Sequence, residues 1–179
     1  MVNGVGLGIC SRHSIIRANG VVDLAKGEKY VIPSFLPQTL IDETLNRYCS
    51  MDYMVLSILI TVFAPRVVLS YDIGCQWSKK FRERMLMYDE DLHIPDDLEL
   101  EIGIPSWHVN GHGAFCRENY SLNYIPGVGR TCGEDVKTTW SSTNCLAPST
   151  REMGSGARKE TLNDHWNGWN FRKIVGFRE

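Results

Sequence analysis

Three side chains of metal-ligand type recur at a regular interval in the middle of the chain: His108, His112 and Cys116, at i, i+4 and i+8. On a helix that interval puts all three on one face, and neutral imidazoles with a thiolate are zinc-type donors. Cys10-x-x-His13 offers two further donors. Gly111 and Gly113 weaken the helix on which the alignment depends, and a core cysteine beside a half-buried histidine is the plainer alternative. A carboxylate stands out by its place: Asp72 closes the apolar run RVVLSY, residues 66–71. Open α/β sheets put functional groups at the carboxyl ends of buried strands, and a carboxylate there suits a hard divalent cation. Its alternative role is to cap a helix starting near Gln76. Tyr120, Tyr124, Trp140, Trp166 and Trp169 are interleaved with Arg130, Arg151, Arg158, Arg172 and Lys173. Such a mixture can stack on bases and contact phosphates, although aromatics at this density more often build a core. Gly4-x-Gly6-x-Gly8 lacks the context of a dinucleotide loop, which lies between a strand and a helix; a tight turn is the expectation.

These groups must be held by one domain. The chain has 179 residues, 43% hydrophobic and 22% charged, with a formal net charge of −2. That is enough apolar content to bury a core, too much for disorder, and the near-neutral balance gives no global affinity for polyanions. The longest apolar segment, residues 53–64, is far shorter than the roughly 20 residues a membrane helix needs. The start carries neither the basic nor the apolar region of a signal peptide. Six cysteines without such a signal point to thiols or metal ligands, and to an intracellular setting, rather than to a disulfide framework.

Residues 1–30 read as two short strands turned at Ala18-Asn19-Gly20, and Tyr53 to Phe63 as a buried helix. Arg66 to Tyr71 reads as a central strand covered on both faces. Phe81, Met85 and Tyr88 recur at helical spacing over 78–88, with Lys79, Lys80, Arg82 and Arg84 on the other faces. An acidic loop (89–97), a strand over 98–104, a helix over about 134–146, a Gly/Ser-rich break and a Trp-rich tail follow. Strand and helix in this order predict an α/β fold with a mixed sheet.

Six segments, taken together, resemble the C-terminal part of the transposase core of the Kyakuja–Dileera–Zisupton (KDZ) family, abundant in mushroom-forming fungi. They are GVVDLAKGEKY, CSMDYMVLS, RVVLSYDIGCQWSKKFRERM, IPSWHVNGHGAFC, SLNYIPGVGRT and TREMGSGARKETLNDHWNGWNFRKIVGF. The resemblance implies an RNase H-like fold with a DDE-type acidic triad holding two divalent ions, Mg²⁺ or Mn²⁺, that cut and join DNA. It also implies transposon-end DNA as partner, through Arg and Lys of the tail, and a nuclear location; no membrane is implied. Asp72, in YDI, matches the second acid. The third lies in a block the family writes T-D-G-E-G-x-E-R-x-W; here residues 131–140 read TCGEDVKTTW. Glu134 is the surviving match, with Cys132, Asp135 and Lys137 as departures. A lysine at a metal position would turn attraction into repulsion.

The family's first acid is expected on an opening strand ahead of GVGLG. Asp23 and Asp52 match other positions, so the expectation is an incomplete, inactive domain with its first strand missing, an open sheet edge and marginal stability. The rival expectation is a zinc-stabilised binding module built on Cys10, His13, His108, His112 and Cys116.

The family also runs K-G-E-[RK]-Y directly into C-x-M-D-Y, whereas residues 30–47 intervene here, with Tyr at both edges. Lys29-Tyr30-Val31 can be encoded with the donor GTATGT and Asn46-Arg47 with the acceptor YAG. Excision restores KGEKYCSMDY in frame. The segment is therefore expected to be translated intron forming a poorly packed loop, with a short helix open over 40–47 and a true surface insertion as the alternative. The genomic codons at 29–31 decide between them.

Overall fold

The computed structural model describes residues 2–25 and 43–177. The chain is a mixed α/β protein in which antiparallel and parallel pairing occur in two separate two-stranded sheets, rather than in the single mixed sheet expected. Strands β1 (Val2–Cys10) and β2 (Ile15–Ala25) form the antiparallel pair. Their turn is not Ala18-Asn19-Gly20 but residues 11–14, where the amides of His13 and Ser14 both donate to the Cys10 carbonyl. The register jumps from Leu7↔Val21 to Ile9↔Ile16, so residues 17–20 form a bulge inside β2 with Asn19 at φ 57°. Asn-Gly tolerates left-handed backbone, and a bulge uses that tolerance as readily as a hairpin turn does. The spaced glycines of β1 lie within the strand and let it press on the next helix, with Gly8 against Ile58.

Helix α1 (Glu43–Leu59) starts before the expected Tyr53 and stops short of Phe63. The β-branched run Ile60-Thr61-Val62 ends it, the Thr61 hydroxyl donating to the Ile58 carbonyl at 2.7 Å; Phe63 is left fully exposed. Of the suspected insertion, residues 30–42 lie outside the described residues, and 43–47 open α1.

β3 (Arg66–Ser70) and β4 (Glu99–Gly103) run parallel in unbroken register from Arg66↔Glu99 to Ser70↔Gly103. β3 is half-buried along its length and, among the described residues, pairs with β4 alone, so it is not the doubly covered central strand its composition suggested. The helix expected over 78–88 is broken into α2 (Gly74–Trp77), a 3₁₀ turn over Ser78–Lys80, and α3 (Phe81–Met85). Phe81, Met85 and Tyr88 are buried as their spacing predicted.

Arg84, expected on the polar side, is buried as well. It grips the wholly buried Asp52 with Nε at 2.6 Å and Nη2 at 2.9 Å, while Trp77 Nε1 donates to the same carboxylate at 2.7 Å. Burial pushes the Asp52 carboxyl above its ordinary range, opposed by these bonds from Arg84 and Trp77. The break after Trp77 has a purpose here: it turns Arg84 inward, so that the backbone kink and the ion pair stabilise one another.

Four helices complete the described chain: α4 (Ala114–Asn119), α5 (Asp135–Asn144), α6 (Ala147–Thr150) and α7 (Ser155–Gly176). α7 clamps the hairpin. Leu162 and Trp166 pack with Leu7 and Ile16, Trp169 Nε1 donates to the Ser14 carbonyl at 2.8 Å, and Asn170 pairs with both the amide and the carbonyl of Ile16. Asn170 thereby satisfies backbone groups at a sheet edge that would otherwise be open to another strand. No helix among the described residues is long and apolar enough to cross a membrane.

Candidate functional site

The parallel sheet creates the site. Because β3 and β4 run the same way, both deliver their outgoing chain to the same end: Tyr71-Asp72 from β3, and Ile104 to His108 from β4. A third segment is tied alongside, with the Ser106 amide donating to the Cys132 carbonyl at 2.9 Å. It bends at Gly133, whose φ is 69° and where a Cβ would lie 2.7 Å from Ser70 Oγ and from Leu122 Cδ1. Only glycine meets both conditions. The bend brings Glu134 in, immediately ahead of α5.

Asp72 and Glu134 are thus brought together, with His108 between them. Asp72 Oδ2 lies 3.2 Å from His108 Nε2, and Glu134 Oε1 lies 3.1 Å from His108 Nδ1. The other Glu134 oxygen accepts from Lys137 Nζ at 2.6 Å, and Lys137 also lies over the Trp107 ring, 4.7 Å from its centroid. The imidazole thus faces a carboxylate oxygen at each ring nitrogen. Burial alone would raise the Glu134 carboxyl; the bonds from Lys137 and His108 and their charges outweigh it and hold it below the ordinary glutamate range. Asp72 does not cap α2, whose N-cap residue is Ile73 with no side-chain bond.

These residues do not fit a two-cation centre as arranged. Both Glu134 oxygens and one Asp72 oxygen are already turned to the His108 imidazole and the Lys137 ammonium, at the place where hard metal ions would need those lone pairs.

The single-face alignment of His108, His112 and Cys116 is not formed. A 3₁₀ turn over His108–Gly111 gives way to extended backbone at His112, and α4 starts only at Ala114. The break that Gly111 and Gly113 permit sends His108 to the carboxylates and His112 elsewhere. Cys10 and His13 pair with each other at 3.3 Å in the hairpin turn, His13 lying against Phe177. The five-residue zinc set is therefore divided among three places.

His112 and Cys116 instead meet Cys75, a residue nothing in the sequence singled out beyond its place in YDIGCQW. Of the aromatic and basic residues, Trp166 is buried and Tyr120, Trp140 and Trp169 are partly so, while Tyr124 and Trp107 are exposed. Arg158 is paired with Asp23 at 2.7 Å and Lys173 lies over Trp169; Arg130, Arg151 and Arg172 are exposed.

No curated protein matches the chain, and no solved structure does. The model of one family, described as Kyakuja-Dileera-Zisupton transposase, matches residues 42–170. That span takes in α1, both parallel strands, Asp72, His108 and Glu134, and most of α7, well over half of the chain. The protein belongs to the KDZ transposase family.

Proposed function

We propose that the chain is an RNase H-like, DDE-type transposase domain that engages DNA but does not cut it, because its acid pair is neutralised internally. The observation that carries this reading is the bridge Asp72–His108–Glu134–Lys137. Strand transfer by paired cations requires carboxylates free to ligate them, and the two matching acids are engaged with an imidazole and an ammonium. Family membership supports DNA as the partner, and exposed Arg130, Arg151 and Arg172 are the cations available to phosphate. A phosphate-directed contact of this kind predicts binding that weakens steeply with salt.

The test is a gel assay with a labelled DNA hairpin in Mg²⁺ or Mn²⁺. The expected result is a salt-sensitive mobility shift without nicking. EDTA-sensitive nicking that Asp72→Ala abolishes would overturn the reading.

A further inference from the structure

Beside the acid pair, and independent of it, lies a second cluster with the opposite character. Cys75, His112 and Cys116 each bring one ligand atom to within 4.8 Å of the other two, with Cys75 Sγ 3.6 Å from His112 Nδ1. Three separate segments make this convergence. Cys75 sits at the start of α2, held on β4 by Gly74, where a Cβ would run into Ile102 Cγ2 at 2.7 Å. His112 is carried on the extended residue after the 3₁₀ turn, its amide donating to the Val109 carbonyl at 3.1 Å. Cys116 lies in the first turn of α4, its amide bound to the Gly113 carbonyl at 3.0 Å. Ile104 and Val109, both buried, form an apolar cluster with Cys75 against which Cys116 packs.

We infer that Cys75, His112 and Cys116 form a zinc site. Two thiolates and an imidazole are the donors zinc prefers, and three protein ligands leave a fourth position to water. Unlike the acid pair, this cluster has no lysine or arginine paired with any of its three ligand atoms among the described residues. Burial holds the Cys75 thiol protonated, reinforced by hydrogen bonding to Cys116 and by its charge. A divalent ion reverses that balance. Two S–H bonds break, two Zn–S bonds and one Zn–Nδ1 bond form, two protons leave to solvent, and nothing is oxidised or reduced. The set differs from the one the sequence suggested. His108 belongs to the carboxylates, Cys10 and His13 to the hairpin, and Cys75 takes their place. The ion would tie the end of β3 to the segment after β4, beyond the contact that Asp72 already makes with His108.

The test titrates Co²⁺, then Zn²⁺, into the reduced full-length chain. Expected are the near-ultraviolet bands of thiolate-bound cobalt, one equivalent at saturation, bleached by zinc and lost in Cys75→Ser and Cys116→Ser. Cys132→Ser and Cys145→Ser, at exposed positions, leave the bands unchanged. Because a cysteine variant can fail by misfolding, His112→Cys supplies a gain of signal: a third thiolate intensifies the bands. Absence of cobalt bands, bands that survive in the Cys75→Ser, Cys116→Ser double variant, or no added intensity in His112→Cys would overturn the assignment.

Discussion

His108 and His112 are four residues apart, yet they serve clusters of opposite charge balance. The first stands between two carboxylates whose negative charge is answered by the imidazole and by Lys137. The second stands beside the thiols of Cys75 and Cys116, with burial pushing the Cys75 thiol up. Both contain residue types that bind metals. The difference is whether the protein has already supplied the positive charge. A cation entering the acid cluster must displace the Lys137 ammonium and the His108 imidazole, whereas one entering the thiol cluster meets two cysteines and an imidazole as ligands.

The thiol cluster rests on α2, and removing the anchor of that helix should affect it. Asp52→Ala leaves the Arg84 guanidinium buried without its carboxylate and should cost about 3–5 kcal/mol in urea unfolding. Because α2 and α3 then lose their anchor, cobalt uptake at the thiol cluster should weaken in parallel. Gly133→Ala acts on one cluster only. The backbone strain and the contact with Ser70 should cost about 1–3 kcal/mol and displace Glu134, with cobalt uptake unchanged. Thiol labelling at neutral pH should separate the cysteines without any mutation: exposed Cys132 and Cys145 react first, and buried Cys49 and Cys75, both pushed up by burial, react last. Lys137→Ala should have the smallest effect on unfolding, about 0–1 kcal/mol, since its ammonium is more than half exposed. A larger loss would mean that the lysine braces the fold rather than merely neutralising Glu134.

What was legible in the sequence was whatever depended on local pattern. The apolar runs located β3 and β4, and the spacing of Phe81, Met85 and Tyr88 correctly named buried residues. The motif segments identified the family and singled out Asp72 and Glu134, which lie on either side of His108. The illegible parts were set by tertiary partners. Arg84 looks like a solvated helix residue until Asp52, thirty-two positions earlier, is placed beside it. Asn19-Gly20 advertises permissive backbone, but only the register with β1 decides between a turn and a bulge. The regular interval of His108, His112 and Cys116 suggests one site, and a single break at Gly111–Gly113 makes two. Cys75 carries no local signal at all; it joins its cluster because Gly74 lets α2 sit down on β4.

Manganese binding, followed by electron paramagnetic resonance in the wild type and in the His108→Ala, Lys137→Glu double variant, tests the internal neutralisation most directly. Zinc is kept saturating so that the thiol cluster is out of play. The account predicts no saturable Mn²⁺ site in the wild type, and in the double variant a saturable site that Asp72→Ala removes. Saturable Mn²⁺ binding by the wild type that depends on Asp72 and Glu134 would contradict it.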